Sequence, residues 1–150
     1  MEVPMSRKVQ DVISKRKEVY SISNQVTVAE AARYLKDRAI RATGVTNLSG
    51  RIIGVVSQSD ISDKVVAENY RPSEVKVQDI SSTNLIKVAP EVDVETAMQI
   101  MSDNGVYHLV VEDAEGDYRG LISIRDLIAV EAEEEKERAE LYKGYAFPSY

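Results

Sequence analysis

The sequence predicts an α+β fold in which two β-α-β-β-α motifs pack sheet to sheet about a pseudo-two-fold axis. The main observation is an internal repeat, because residues 54–61 (GVVSQSDI) and 120–127 (GLISIRDL) share a glycine, a serine and an aspartate, each 66 positions apart. The alignment extends without a gap from residues 26 and 92 onward. In each copy a helical pattern is followed by two extended segments and a new helix start, which predicts the element order.

The first copy is read from its capping, turn and periodicity signals. Thr27 and Glu30 form a capping box ahead of an apolar helical pattern. Asn47 to Gly50 is a hairpin loop between two extended segments. The predicted elements are a short helix, a strand, a helix, two strands and a last helix, at 9–13, 19–22, 27–38, 42–46, 51–56 and from 57 to before Pro72.

The second copy repeats this order. Its lead-in at residues 77–80 (VQDI) resembles residues 9–12 (VQDV), here at an offset of 68. The elements that follow are a strand, a helix, two strands and a helix, at 85–88, 92–104, 107–111, 118–122 and from 124 onward. A unit of about sixty residues buries too little surface to be stable alone. We therefore expect the two copies to pack together and to form two equivalent clefts.

Three regions follow from this organisation: the first motif with its N-terminal segment at 1–74, the second motif at 75–130, and an extension at 131–150. The extension continues the last helix as a solvated, acidic segment, in which Glu134 and Arg138 are spaced to pair. The tail after residue 141 holds three tyrosines and the single phenylalanine. We expect it to dock on its own domain or on a partner subunit; a disordered terminus is the alternative.

Composition excludes several classes of function. With no cysteine and one histidine, the chain has no disulfide, no thiolate zinc site and no site that needs two imidazoles. The sequence contains no long apolar run, so we expect a cytoplasmic protein without a membrane span. The net charge of −6 argues against a dedicated nucleic-acid binder, although Arg7, Lys8 and residues 15–17 make the N-terminus basic.

The repeat, the element order and the two Gly-x-x-Ser-x-x-Asp segments resemble a pair of CBS domains (a Bateman module) over residues 9 to about 130. The resemblance implies a module that binds AMP, ADP or ATP, or in some members NAD or S-adenosylmethionine, in the clefts between the motifs. It implies an energy-sensing regulatory protein rather than an enzyme, with no cofactor and no metal. It also implies a homodimer that acts on a separate protein, whose identity the sequence leaves unknown.

The resemblance places four residues at the ribose, namely Asp126, Ser123, Asp60 and Ser57. An ionised carboxylate can accept hydrogen bonds from both ribose hydroxyls. A serine at a helix start lies where amides and a hydroxyl can meet the sugar or a phosphate. The alternative is that each Ser-x-x-Asp is a capping box, and the two roles are compatible.

Cationic residues near the clefts are candidates for phosphate contacts. Arg125 precedes Asp126, whereas its counterpart Ser59 is neutral, so we expect the Asp126 cleft to be the occupied one if a single cleft fills. His108 and Arg41 are the other candidates. His108 is alternatively a packed, hydrogen-bonded histidine, and Arg41 a surface charge.

The adenine ring needs an apolar slot and backbone groups, which the resemblance places on the lead-in to the first strand and on the second strand of a motif. The residues carried over are Thr83, Asn84, Leu85, Ile86 and Val106 for one site, and Lys17, Glu18, Val19, Tyr20 and Ile40 for the other. The apolar members of both sets are also core candidates in any fold of this kind.

Two further hypotheses stay open at this point. One is a scaffold or interaction protein with empty clefts that acts through its acidic helix and aromatic tail. The other, less favoured, is nucleic-acid binding by the basic N-terminus. Catalysis is not expected, because neither serine of the two motifs has a paired base and one histidine serves neither two triads nor a metal centre.

Overall fold

The computed structural model describes residues 7–143, which form two three-stranded sheets with the same topology. The elements of the first half are α1 (Val9–Ile13), β1 (Ser21–Ser23), α2 (Val28–Arg38), β2 (Ala42–Thr46), β3 (Ile52–Ser57) and α3 (Gln58–Ile61). Those of the second half are β4 (Lys87–Val88), α4 (Val94–Asn104), β5 (His108–Glu112), β6 (Tyr118–Ser123) and α5 (Ile124–Lys143). The predicted α+β class and the element order are therefore confirmed.

The two sheets also share their hydrogen-bond register. In each sheet the central strand runs parallel to the first strand and antiparallel to the third. Ala42 pairs with Ser57, and 66 positions later His108 pairs with Ser123. Both hairpins are irregular at the same place, after Val45 and after Val111. The repeat thus extends from sequence to backbone geometry, and it puts Ser57 and Ser123 in equivalent positions.

Each half has its own hydrophobic core, in which the helices cover one face of a sheet. The helices α2 and α4 present their buried side chains at helical spacing, as the sequence predicts. The buried residues of the first core are Ile22, Val28, Ala31, Val45, Val56, Val65, Val77 and Ile80. Those of the second core are Val9, Val88, Val94, Ala97, Met101, Leu109, Val111, Ile122, Leu127 and Val130.

The lead-in segments are exchanged between the two cores. Val9 of α1 is fully buried in the second core, and Val77 of the segment between the halves is fully buried in the first. Backbone hydrogen bonds support both placements, since Val9 N–H donates to Val92 and Val77 N–H donates to Val26. The division of the chain at residues 74 and 75 stays a prediction about domains, but each lead-in packs on the other half.

The two sheets meet through β2 and β6, where Tyr118 reaches the first half. A Cβ atom on Gly44 would lie 2.5 Å from the Tyr118 hydroxyl, so the missing side chain provides the space for the ring. In the repeat, Gly44 corresponds to Val110 and Tyr118 corresponds to Ile52. The glycine and the tyrosine that meet here are therefore replaced by a valine and an isoleucine at the related positions.

Several elements differ from their predicted extent, among them β1, β4 and the helix that follows Ser57. Strand β1 starts at Ser21 rather than residue 19, because the Tyr20 carbonyl accepts a hydrogen bond from Tyr118 instead of pairing with β2. Strand β4 is limited to Lys87–Val88. After α3 the helix widens to a π-helical turn over Ser62–Val66.

The extended C-terminal helix α5 is present, and the N-terminal segment lies against it. Arg7 pairs with Glu133 at 2.9 Å and with Glu137, and its backbone N–H donates to Glu134. These contacts raise the pKa of Arg7, with the hydrogen bond to Glu137 as the main cause. The extension is thus tied to Arg7 in addition to being solvated, and the aromatic tail from residue 144 lies outside the described residues.

Candidate functional site

A cavity of about 470 Å³ lies between the two halves, beside the start of α5. Its polar lining is Arg16, Arg41, His108, Ser123, Arg125 and Asp126. Its remaining lining is Tyr20, Ala39, Ile40, Ala42, Tyr107, Leu121 and Ile124. The volume falls in the range of small-molecule sites, and the mix of apolar walls with a few converging polar groups is typical of them.

Asp126 and Ser123 begin α5 and form a reciprocal cap. The Ser123 N–H and hydroxyl donate to Asp126 Oδ2 at 2.8 and 3.1 Å, and the Asp126 N–H donates to Ser123 Oγ at 3.2 Å. The capping interpretation is correct, because these bonds satisfy amides that a helix start leaves unpaired. They also fix the carboxylate in the cavity wall.

Arg16 is the cation that contacts this carboxylate. Its Nη2 lies 2.9 Å from Asp126 Oδ2, and its Nη1 donates to the Leu121 carbonyl at 2.6 Å. Arg16 follows α1, so the exchanged lead-in brings it to the second half. Gly120 permits the approach, since its φ is +135° and a Cβ there would lie 3.2 Å from Ile13 and 3.5 Å from Arg16.

The charge of the cavity favours an anion. Three arginines, at positions 16, 41 and 125, line it together with a single carboxylate, Asp126. Arginine keeps its charge and offers several donors in a fixed plane, which suits phosphate oxygens. A recess lined mainly by one sign of charge concentrates ligands of the opposite sign.

His108 lies on β5 directly opposite Ser123, so it joins the carboxylate in the cavity wall. Burial lowers the pKa of His108, and the carboxylates of Asp126 and Asp60 oppose this in part. The imidazole is therefore neutral near pH 7 and can act as a donor or an acceptor.

Tyr20 forms the opposite wall and is held on two sides. The Tyr118 hydroxyl donates to the Tyr20 carbonyl at 3.1 Å, and burial raises the pKa of Tyr118 to about 12. The ring of Tyr34 meets the Tyr20 ring edge-on, with the centroids 6.5 Å apart. Both contacts place the Tyr20 ring before any ligand is present.

The equivalent carboxylate of the first half, Asp60, is outside this cavity. It forms the same cap with Ser57. Lys64, four residues further along the chain, lies 3.0 Å from Asp60 Oδ1. The two halves are thus alike in capping and different in the cation that each carboxylate meets.

Comparison with known proteins assigns both halves to one family. A model of the family described as CBS domain matches residues 9–67 and again residues 77–133. The chain belongs to the CBS-domain family. The two matches coincide with the two sheets, so the chain is a CBS pair, as the resemblance implied.

Known proteins of this family are similar over most of the chain. An uncharacterized protein of Methanopyrus kandleri is 29% identical over 116 residues, which cover 77% of this chain and 59% of that protein. The chain therefore spans less than two thirds of that relative's length. A crystallised CBS-domain protein from Agrobacterium tumefaciens has a TM-score of 0.76 at 24% identity, with 85% of this chain and 95% of that chain covered.

A second solved structure of this fold carries a ligand. It is a CBS domain protein from Pyrobaculum aerophilum complexed with AMP, with a TM-score of 0.75 and 24% identity. The similarity covers 87% of this chain and 99% of that chain. At this level of identity the likeness shows a shared fold.

Only some of the residues predicted for the site line the cavity of the CBS pair. The predicted residues that line it are Asp126, Ser123, Arg125, His108, Arg41, Tyr20 and Ile40. The predicted residues that do not line it are Asp60, Ser57, Thr83, Asn84, Leu85, Ile86, Val106, Lys17, Glu18 and Val19. Lys17, Glu18 and Val19 instead line a more open depression next to it.

Sequence reasoning missed Arg16 and Tyr107. Arg16 belongs to the basic run at 15–17, whose charge was noted but whose position across the pair was not. Tyr107 is 73% exposed at the cavity and was considered only as part of a strand motif. The signal in the sequence was an aromatic residue directly before the single histidine.

Two features are absent from the part of the chain that the structure describes. Among residues 7–143, no group of three or more histidine, cysteine, aspartate or glutamate side chains could hold a metal ion. No helix in this part of the protein is long and apolar enough to cross a membrane.

Proposed function

We propose that this CBS pair is a non-catalytic regulatory module that binds an adenosine nucleotide, AMP, ADP or ATP, in the cavity beside Asp126. The observation that carries the proposal is the composition of this cavity: a partly exposed carboxylate and three arginines in walls that are otherwise mainly apolar. The more open depression next to it also has cations, namely Arg16, Lys17 and Arg119, but five carboxylates line it as well, so it is less suited to a phosphate. The AMP held by the Pyrobaculum protein supports the class of ligand.

The ribose is assigned to Asp126. Its side chain is 34% exposed, and its bonds to Ser123 and Arg16 all converge on Oδ2. Oδ1 has no hydrogen-bond partner within residues 7–143, so it is free to accept from a sugar hydroxyl. Hydrogen bonds to a charged acceptor contribute about 1.5–3 kcal/mol each.

The phosphates are assigned to the arginines and the base to the apolar walls. Arg125 lies next to Asp126 on α5, and Arg41 and Arg16 reach the cavity from the first half. Tyr20, Ile40 and Ile124 provide flat or branched apolar surface for a purine. Both halves thus contribute to one ligand, which is the basis of a regulatory effect.

Regulation follows from this shared site. A ligand shifts a protein between two states only by its different affinity for them. A nucleotide that contacts Asp126 from the second half and Arg41 from the first stabilises one relative position of the two CBS motifs. We propose that this position is read by a separate protein, in a cytoplasmic homodimer that senses the adenylate pool.

A thermal-shift screen of the purified protein tests this function. AMP, ADP, ATP, NAD and S-adenosylmethionine are added separately, with GMP and inorganic phosphate as controls. At one hundred times its Kd, a bound nucleotide adds about 2.7 kcal/mol, which raises Tm by roughly 5–10 °C in a chain of this size. No shift with any adenosine compound rejects the proposal and favours an interaction scaffold. If only NAD or S-adenosylmethionine raises Tm, the proposed site stands but its ligand is that compound rather than AMP, ADP or ATP.

The Asp126→Ala variant tests the position of the site. Loss of the charged acceptor is expected to weaken binding by about 1.5–3 kcal/mol, a roughly 10- to 150-fold rise in Kd. Calorimetry measures Kd, and circular dichroism verifies that the fold is retained. Asp37→Ala, which removes an exposed carboxylate on α2, is the matched control and is expected to bind as the unmodified chain does. Unchanged affinity in Asp126→Ala contradicts the assignment.

A further inference from the structure

The two carboxylates of the repeat have the same local geometry. Asp60 Oδ2 accepts from the Ser57 N–H and hydroxyl at 2.9 and 3.0 Å, while Asp126 Oδ2 accepts from the Ser123 N–H and hydroxyl at 2.8 and 3.1 Å. In both cases the second oxygen, Oδ1, is left to other partners. The difference between the two clefts therefore depends on what reaches Oδ1.

Lys64 reaches Oδ1 of Asp60. Its Nζ lies 3.0 Å from this oxygen and also donates to the Ile80 carbonyl at 2.9 Å. Lys64 lies in the π-helical turn after α3, and Ile80 belongs to the segment that is exchanged into the first core. One ammonium group thus joins the carboxylate, its helix and the lead-in segment.

The result is a carboxylate with both oxygens engaged and little exposure. The side chain of Asp60 is 13% exposed, against 34% for Asp126. A ribose at Asp60 would compete with the Lys64 ammonium for Oδ1. The Lys64 side chain is 46% exposed, so the cost of separating the ion pair falls mainly on the Asp60 carboxylate, which is largely shielded from water.

The second half has no equivalent of this lysine. The position 66 residues after Lys64 is Val130, which is buried in the second core. The cation at Asp126 is Arg16, and it shares Oδ2 with Ser123. Asp126 therefore keeps an open oxygen even with its cation in place.

The first half also lacks the residues that are candidates for phosphate contacts in the Asp126 cavity. The positions that correspond to Arg125 and His108 are Ser59 and Ala42. Arg16 corresponds to Asn84 at the lead-in offset of 68. A nucleotide at Asp60 would find no equivalent of these three phosphate candidates.

We infer that each chain binds one nucleotide, beside Asp126, because Lys64 engages the Asp60 carboxylate and the other cleft lacks equivalents of Arg125, His108 and Arg16. Asp60 then stabilises the first half and its lead-in segment, and it is not a ligand residue. This inference rests on the proposed function and gives it a stoichiometry and a structural cause.

Calorimetric titration of the full chain with AMP, ADP and ATP in turn tests the inference. The expected stoichiometry is one nucleotide per chain. Asp126→Asn is expected to weaken binding at least tenfold. Asp60→Asn and Lys64→Met are expected to leave Kd within about twofold and the stoichiometry at one, while both lower Tm. Because the two residues act as a pair, the double variant should lose less Tm than the sum of the single variants.

Each other outcome has a defined meaning. No binding by the unmodified chain rejects the proposed function, and the inference falls with it. Two nucleotides per chain reject the inference alone. A stoichiometry of one that is lost in Asp60→Asn but retained in Asp126→Asn also rejects it, because the ligand then lies in the other cleft. Additive losses of Tm show that Lys64 does not hold Asp60, and they overturn the stated cause.

Discussion

At the scale of single residues, the two Ser-x-x-Asp patterns form the same cap in different surroundings. The cap has nearly equal hydrogen-bond lengths in both copies. The availability of the carboxylate to a ligand differs, because Lys64 engages Asp60 while Asp126 keeps one oxygen open. A local motif therefore predicts the cap in both halves, whereas the side chains around it decide which carboxylate can bind.

His108 gives the protein a predicted pH dependence. Because burial lowers its pKa below the ordinary 6.5, the folded chain binds fewer protons at this site than the unfolded chain. The folded state is therefore favoured most above pH 6.5, and this contribution is lost as the pH falls from 6.5 toward the lower folded pKa. His108→Asn should flatten the fall in Tm between pH 7.5 and pH 5.5.

Thermal unfolding of both proteins across this pH range measures the effect. The comparison is direct because the sequence contains one histidine. Parallel curves for the unmodified chain and His108→Asn would show that the histidine titrates normally. They would also show that it is not shielded by the cavity wall.

At the scale of elements, the repeat allows equivalent helices and strands of the two halves to be compared position by position. Both crossover helices end in a left-handed residue, which is Ala39 (φ 54°) after α2 and Gly105 (φ 62°) after α4. Glycine adopts this conformation without strain, whereas a Cβ atom costs about 1–2 kcal/mol there. The first helix thus ends at a strained position that the second avoids.

Ala39→Gly is therefore expected to stabilise the protein. The relief of strain exceeds the added entropy of the unfolded chain, for a net gain of about 0.5–1 kcal/mol. Gly105→Ala, at the equivalent position, should lower the free energy of unfolding by about 1 kcal/mol. Urea unfolding measures both. A loss of stability in Ala39→Gly would mean that the left-handed strain is absent.

At the scale of the whole molecule, the exchanged lead-in segments join the two halves. Residues 7–16 pack on the second half, where Arg7 binds α5 and Arg16 binds Asp126. Residues 75–80 pack on the first half, where Val75 and Val77 pair with Val28 and Val26. Neither CBS motif is complete without a segment that precedes the other one.

Matched substitutions in the two lead-ins test this exchange. Val9→Ala and Val77→Ala each remove a fully buried side chain, and each should cost roughly 2 kcal/mol. Amide hydrogen exchange should become faster mainly in β4 to β6 for Val9→Ala. It should become faster mainly in β1 to β3 for Val77→Ala. The reverse pattern would show that each lead-in belongs to its own half.

The sequence by itself determined the local structure, because a repeat at constant offset carries the same periodicity and capping signals twice. The element order, the two hairpins and the caps at Ser57 and Ser123 all follow from such signals. Strand β1 was predicted to begin two residues too early, because Tyr118, nearly one hundred residues away, donates to the Tyr20 carbonyl.

The tertiary structure alone decided the composition of the candidate site. It placed Arg16, Tyr20 and Arg41 of the first half beside Asp126 of the second, and it brought the Ile80 carbonyl to Lys64. The physical reason is that contacts across the pseudo-two-fold axis join residues far apart in sequence. Local periodicity places each residue on its own element but does not encode which half that element will face.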